Sequence, residues 1–215
     1  RQALAAGEAV HSSNSVETVQ LVGCGNIYND ADLRIVDPDT LAECKPSQIG
    51  EIWYSGENVA QGYWENPEAT AEKFNFSLEG VEGKKYLRTG DMGFVSNGQV
   101  YITGRLKDII IINGKNYYPD DIENIVMESH PAMKGAACVA FSVDNDHRNE
   151  RLVIIVEPHD WHLSQQQQEE ATTALRSMIS RDAGLRVDEV LFVRRGQVPR
   201  TSSGKLQRRA ALQRY

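Results

Sequence analysis

Four consecutive isoleucines, Ile109 to Ile112, run directly into Asn113-Gly114 and constrain this chain more than any other stretch. A short apolar run bounded by turn residues reads as a buried strand, and Asn-Gly is a strong tight-hairpin signal. Lys115 to Tyr118 is then the returning arm. Pro119 suits the first turn of a helix, where its missing N–H costs nothing, and Ile122, Ile125 and Val126 share one face of that helix. Ahead of the isoleucines stands the charged segment Gly104-Arg105-Leu106-Lys107-Asp108. It reads as a junction between what precedes it and a compact unit that follows.

Charge divides at the same place. Arg1 to Gly104 holds seven basic and fifteen acidic residues, whereas Arg105 to Tyr215 holds sixteen and fifteen, within a net charge of −7. The last 22 residues carry seven basic side chains and no acid. A tail of that kind suits nucleic acid, membrane or a phosphate ligand, or is a solvated basic helix end. At 215 residues and 40% apolar content the chain can form one large or two small cores. No run approaches the roughly 18 apolar residues of a membrane helix, and Arg1-Gln2-Ala3 opens no signal peptide. Cys24, Cys44 and Cys138 are scattered without a CxxC, which predicts a reduced, cytoplasmic setting.

The first half reads as β-rich and barrel-like or sandwich-like. Val19 to Cys24, Asp32 to Asp37, Glu51 to Tyr54 and Val59 to Tyr63 are the expected strands, with a turn at Asp37-Pro38-Asp39-Thr40. Asn66-Pro67 opens a short helix, asparagine capping and proline at the first position. The second half reads as α+β around a three-stranded sheet. Its expected strands are Gly135 to Ser142, Leu152 to Val156 and Glu189 to Val193, with a polar loop over Val143 to Arg151. Ser164 and Gln167 form a capping box for a helix whose Ala171, Ala174, Leu175, Met178 and Ile179 make an apolar stripe. His159 and His162, beside Trp161, lack a third clear ligand and read as loop residues.

Three polar positions stand out. Asp91, in Tyr86-Leu87-Arg88-Thr89-Gly90-Asp91, reads by itself as a turn carboxylate. Arg105 reads as a surface arginine paired with Asp108. Val198-Pro199-Arg200-Thr201-Ser202-Ser203-Gly204-Lys205 invites a phosphate-loop reading, but its spacing does not fit Gly-x-x-x-x-Gly-Lys-Ser/Thr.

Together these stretches resemble one family. The string GRLKDIIIINGKNYYPDDIE is similar to the hinge region of the adenylate-forming enzymes, which include acyl-CoA synthetases, luciferases and peptide-synthetase adenylation domains. It most resembles the fatty acyl-AMP ligases. GEIWYSGENVAQGYWENPEAT (50–70), YLRTGD (86–91) and VPRTSSGKLQR (198–208) match further motifs of the family in its order. The first of these resembles a structural motif and is assigned to scaffold, with Gly56 and Gly62 expected at close approaches or positive backbone angles. RQALAAGEAV, at 1–10, resembles the tail of an insertion that marks the acyl-AMP ligases.

The resemblance implies roles for five residues. Asp91 accepts hydrogen bonds from both ribose hydroxyls of ATP, a task suited to an acceptor-only carboxylate. Arg105 binds the ribose hydroxyls or a nearby phosphate. Lys107 is the hinge residue. Lys205 is the catalytic lysine, bridging the acyl carboxylate and the α-phosphate during adenylation, with Gly204 letting the backbone bend. Gly114 lies on the face presented to the incoming thiol.

It also implies an organisation. Residues 1–104 are the β-rich end of a large adenylation domain and 105–215 a small mobile domain, with the hinge at 104–108. The substrates are ATP, with Mg2+ held by residues elsewhere, and a fatty acid; the acyl acceptor is the phosphopantetheine thiol of an acyl carrier protein, and no nucleic acid takes part. The family's Ser/Thr/Gly-rich phosphate loop and its aromatic-Gly-x-Thr-Glu motif do not occur in this sequence. The expectation is therefore a C-terminal fragment that makes no acyl-adenylate alone. An acyl- or aryl-CoA synthetase, an amino-acid adenylation domain, and a non-catalytic relative serving as an interaction module are the alternatives.

Overall fold

The computed structural model describes residues 2–11, 18–27, 30–144, 150–160 and 162–215. Trp161 and the centre of the expected Val143 to Arg151 loop lie outside them. The chain divides between Lys107 and Asp108 into two compact units. Arg105 belongs to the first, as the last residue of a strand.

The first unit contains a one-turn helix α1 (Gln2–Ala5) and the strands β1 (Gly23–Asn26), β2 (Asp32–Val36) and β3 (Gly50–Ser55). Helix α2 (Pro67–Lys73), β4 (Leu87–Ser96) and β5 (Gln99–Arg105) follow. The strands form one antiparallel sheet in the order β1-β5-β4-β3-β2. After β2 the Asp37 carboxylate accepts the N–H groups of Asp39 and Thr40, both at 2.9 Å, which closes the expected turn. Asn66 caps α2 through Ala69 N–H, with Pro67 at its start. Val36, Trp53, Leu78 and Tyr86 form a small core, and Phe76 meets the Trp53 ring edge-on at 5.5 Å.

Two expected strands of this unit differ. Val19 to Cys24 joins the sheet only from Gly23; Val19 and Leu21 are partly buried and Val22 is exposed. Val59 to Tyr63 is not a strand. Gly62 has φ +150°, and a Cβ there would come 2.4 Å from the Thr70 methyl group. The Tyr63 N–H goes to the Thr70 hydroxyl, so this stretch is tied to α2 instead of a sheet neighbour. β4 and β5, the long central hairpin, were not among the expected strands; Asn97 and Gly98 turn it at φ 50° and 77°.

A single 3-10 turn, Leu106–Asp108, carries the chain across the boundary. The second unit then follows the expected order. β6 (Ile110–Ile112) and β7 (Lys115–Tyr117) pair antiparallel around Asn113 (φ 53°) and Gly114 (φ 70°), both left-handed as the tight turn demands. Helix α3 (Pro119–Ser129) starts on its proline and buries Ile122, Ile125 and Val126. β8 (Ala137–Asp144) and β9 (Glu150–Glu157) pair antiparallel, α4 (Gln165–Ala183) crosses over, and β10 (Glu189–Phe192) pairs parallel with β9. The sheet order is β10-β9-β8. Both arms of the Ser164–Gln167 capping box are made, and Gly184, left-handed at φ 66°, ends α4. Ala171, Leu175 and Ile179 of α4 pack with the α3 stripe and with Cys138, Ala140, Leu152, Ile154 and Val156 of the sheet. Helix α5 (Arg208–Arg214) ends the chain.

Candidate functional site

In the first unit the candidate residues sit where the central hairpin is irregular. Glu51 lies opposite Met92 and Trp53 opposite Arg88, so three residues of β4, Thr89 to Asp91, stand against the single Ile52 of β3. Across the other edge of β4, Met92 faces Gly104 while Gly93 faces Ile102, which leaves Thr103 as an extra residue in β5. Such bulges bend a strand and re-aim its side chains. Gly93 permits the close approach here, since a Cβ on it would come 2.3 Å from the Tyr101 carbonyl oxygen. The Thr103 hydroxyl is buried with no hydrogen-bond partner among the described residues.

Between these bulges Asp91 and Arg105 face each other in register, Nε to Oδ1 at 3.1 Å. The arginine thus pairs with Asp91 and not with Asp108, its neighbour in sequence. The side chains are 72% exposed for Arg105 and 31% for Asp91. An exposed pair of this kind contributes about 0–1 kcal/mol, so a ligand can exchange either partner at low cost. Asp91 offers acceptors and Arg105 a non-titrating fork of donors, a combination suited to a sugar diol beside a phosphate. Lys73 Nζ lies 3.1 Å from where a Gly90 Cβ would be, which puts a second cation beside the Gly90 backbone.

The Asp91 bulge is anchored from β3. Glu51, wholly buried, accepts Gly90 N–H at 3.1 Å on one oxygen. Its other oxygen accepts Trp53 Nε1–H at 3.0 Å and Arg88 Nε–H at 2.8 Å. The Arg88 guanidinium in turn lies over the rings of Trp53 and Phe76. Thr89 donates its hydroxyl to the Ile52 carbonyl at 2.7 Å and accepts Asp91 N–H at 3.1 Å. Sequence reasoning treated Glu51 as scaffold. The available signal was its two-residue spacing from Trp53, which puts a carboxylate on the buried face of a strand and requires partners there.

In the second unit Lys205 lies on a narrow hairpin. Arg200 and Leu206 bridge, Thr201 N–H donates to the Lys205 carbonyl at 2.8 Å, and Gly204 N–H to the Thr201 carbonyl at 2.9 Å. Lys205 N–H is taken by the Thr201 hydroxyl at 3.0 Å, and Gly204 is left-handed at φ 85°. The backbone donors of Thr201, Gly204 and Lys205 are therefore used internally, unlike those of a phosphate loop. The Lys205 side chain is exposed, with no ion pair among the described residues.

Two buried carboxylates hold the flanks of this hairpin. Glu157, at the end of β9, accepts Val198 N–H at 3.1 Å and faces Arg200 at 3.5 Å. Glu123 of α3 takes Arg208 and also Ala140 N–H at 3.1 Å. Burial pushes the Glu123 carboxyl above its ordinary range, and the Arg208 guanidinium works against that rise. Arg208 also reaches Asp120, and lies 3.6 Å from Asp108, next to Lys107. The basic tail is partly consumed by this clamp.

Lys107 is exposed in the connecting turn, and Gly114 is exposed at its hairpin tip, where Asn113 N–H donates to Glu150 at 2.7 Å. Asp91 and Arg105 are the two candidates brought into contact. Lys205, Lys107 and Gly114 occupy separate elements. Among the described residues no group of three or more His, Cys, Asp or Glu could hold a metal, and no helix is long and apolar enough to cross a membrane.

Comparison with known proteins gives the family. Residues 107–215 match the family described as Disco-interacting protein 2-like, AMP domain, and residues 5–64 match AMP-binding enzyme. The chain is 39% identical to the 4-hydroxyphenylalkanoate adenylyltransferase of Mycobacterium marinum, covering 100% of this chain and 35% of that protein. It is also 39% identical to the medium-chain-fatty-acid acyl-carrier-protein ligase JamA of Moorena producens, over 88% of this chain and 32% of that one. A structure from a study of fatty acyl-adenylate ligases of E. coli and L. pneumophila superposes with a TM-score of 0.79 at 26% identity, over 98% of this chain and 35% of the other. The chain spans about a third of the length of the curated relatives it matches. By these matches and by its fold, the chain belongs to the AMP-binding, adenylate-forming enzymes, alongside the fatty acyl-AMP ligases.

Proposed function

We propose that this chain supplies the ribose-binding strand pair and the catalytic lysine of an enzyme that adenylates a fatty acid with ATP and passes the acyl group to an acyl carrier protein. In the first step a carboxylate oxygen of the acid attacks the α-phosphorus, the bond to the bridging oxygen breaks, and pyrophosphate leaves. In the second the phosphopantetheine sulfur attacks the acyl carbon and AMP leaves. The observation that carries this reading is the exposed Asp91–Arg105 pair, aimed by two adjacent bulges in a family that binds AMP.

Asp91 accepts from the ribose hydroxyls, and Arg105 donates to the ribose or the neighbouring phosphate. Lys205, a point charge on a short hairpin, offsets the negative charge that gathers between acid and α-phosphate in the first step. Lys107 is the pivot on which the second unit turns between the steps, since a hinge needs a few residues that absorb backbone change. The turn at Gly114 then meets the thiol. Mg2+ enters with ATP; the described residues include no cluster suited to it, and none of these roles depends on one. The carrier protein as acceptor rests on the likeness to JamA.

The test uses the full-length protein with ATP, a panel of fatty acids, and either CoA or a phosphopantetheinylated carrier protein, read by mass spectrometry. Acyl-AMP accumulating with CoA, and acyl transfer confined to the carrier protein, are the expected products. Ready formation of acyl-CoA replaces this reading with a CoA synthetase. No adenylate with any acid, or undiminished adenylate with Lys205→Ala, refutes it.

A further inference from the structure

Glu51 has no counterpart in that scheme, yet it is the one wholly buried charged side chain among the described residues. A buried carboxylate is a poor stability device, because well-packed apolar residues in its place often serve as well or better. Its position suggests another use. Both anchors of the Asp91 bulge come from consecutive residues of β3: Glu51 takes Gly90 N–H through its side chain, and Ile52 takes the Thr89 hydroxyl through its carbonyl. Gly90 is left-handed at φ 77°, a conformation open to several alternatives unless its N–H is fixed. Asp91 follows it directly.

We infer that Glu51 is the positioning residue for the nucleotide's ribose: its charge fixes the Gly90 peptide and so sets the direction in which Asp91 offers its carboxylate. This rests on Asp91 being the ribose acceptor. The argument turns on the number of donors. One Glu51 oxygen serves Gly90 N–H and the other serves both Trp53 and Arg88. Its hydrogen-bond partners on both sides, among the described residues, are donors, so only an acceptor on both oxygens satisfies them. A glutamine fits the same space but sets its own N–H2 against one side. With the carbonyl oxygen kept by Arg88 and Trp53, where two donors converge, the amide faces Gly90 N–H and releases the bulge while the core contacts stay. Thr89→Val releases the same bulge from its other anchor and leaves the carboxylate untouched.

The test is carried out on the full-length enzyme by acid-dependent pyrophosphate release with ATP, 2′-deoxy-ATP and 3′-deoxy-ATP. Glu51→Gln is expected to raise KM for ATP about tenfold, the weight of one hydrogen bond to a charged group. The loss falls on KM for ATP several times more than on KM for the acid. The preference for ATP over the deoxy analogues shrinks severalfold, as a bond already misdirected has less to lose. Thr89→Val shifts the preference the same way. A general loss of packing lowers all rates without moving that ratio. Direct binding of ATP against each deoxy analogue by calorimetry gives the same comparison without turnover. If Asp91→Asn erases the preference while Glu51→Gln and Thr89→Val keep it at the unmodified value, the inference is wrong and the ribose assignment stands. If Asp91→Asn itself keeps the preference, the ribose assignment falls and this inference with it.

Discussion

The guanidinium of Arg208 meets the carboxylate of Glu123 through two parallel bonds, Nε to Oε1 and Nη2 to Oε2, each 2.7 Å. The paired geometry matches the planar fork of arginine, and both groups are largely withdrawn from water. Removing one partner strands the other. Arg208→Ala is expected to destabilise the second unit by about 3–5 kcal/mol, read as a shift of its urea midpoint. Arg208→Lys recovers only part of this, because an ammonium cannot span both oxygens. A stability within about 1 kcal/mol of the unmodified protein would mean that the pair behaves as an exposed one.

Acid should act on the first unit through Asp32. Burial works against ionisation of this carboxyl, but hydrogen bonds from Arg34, Lys84 and Tyr86 outweigh it and hold it down at about 2. A folded value below the unfolded one means that the stabilisation is fully present above about pH 4 and is lost as pH falls toward 2. About 1 kcal/mol is expected to disappear over that window, reduced by solvent around Lys84. Asp32→Asn should flatten this part of the pH–stability curve, followed by fluorescence of the buried Trp53. An unchanged acid slope in that variant would assign the loss to other carboxylates.

Gly114→Ala isolates a backbone term. Gly114 is left-handed at φ 70°, and a Cβ built on it meets nothing within 4 Å. The cost is then conformational alone, about 1–2 kcal/mol, measured by chemical denaturation. A neutral result would show that the turn relaxes to another type.

Thiol labelling should follow burial. Cys24 is exposed, whereas burial pushes the Cys44 thiol up, helped by Asp37 and Glu43, and pushes Cys138 up further. The thiolate is the reacting form. Iodoacetamide under native conditions is expected to mark Cys24 first and Cys138 only on unfolding, as read by peptide mass spectrometry. Early labelling of Cys138 would reveal opening of the β8–β9 core.

The parts of this fold that could be read from sequence are those whose signals are local. Asn113-Gly114 after an apolar run, Pro119 ahead of a 3.6-residue stripe, and Ser164 with Gln167 each act within a few residues. The central β4–β5 hairpin was hidden because Gly90 and Gly93 interrupt its alternation, and its bulges break the period of two. The same bulges decide which residue Arg105 meets. Chain proximity suggested Asp108, but Asp108 lies near Arg208 and Arg105 is in register with Asp91, fourteen residues upstream. Glu51 escaped notice for a related reason. Its partners Arg88 and Gly90 come from a strand 37 and 39 residues away, and nothing local announces them.

The parallel pairing of β10 with β9 bears on the order in which the second unit can assemble. The β8–β9 and β6–β7 pairs join neighbouring segments, but Glu189 must find Val153 after the whole of α4 has intervened. Non-local pairing of this kind closes a long loop before any contact repays it, so it forms late. The hairpin bearing Lys205 lies beyond β10 and hangs from Glu157 at the end of β9. All three strands of the sheet therefore precede Lys205 in the order of synthesis, and its hairpin has no anchor until Glu157 of β9 is in place.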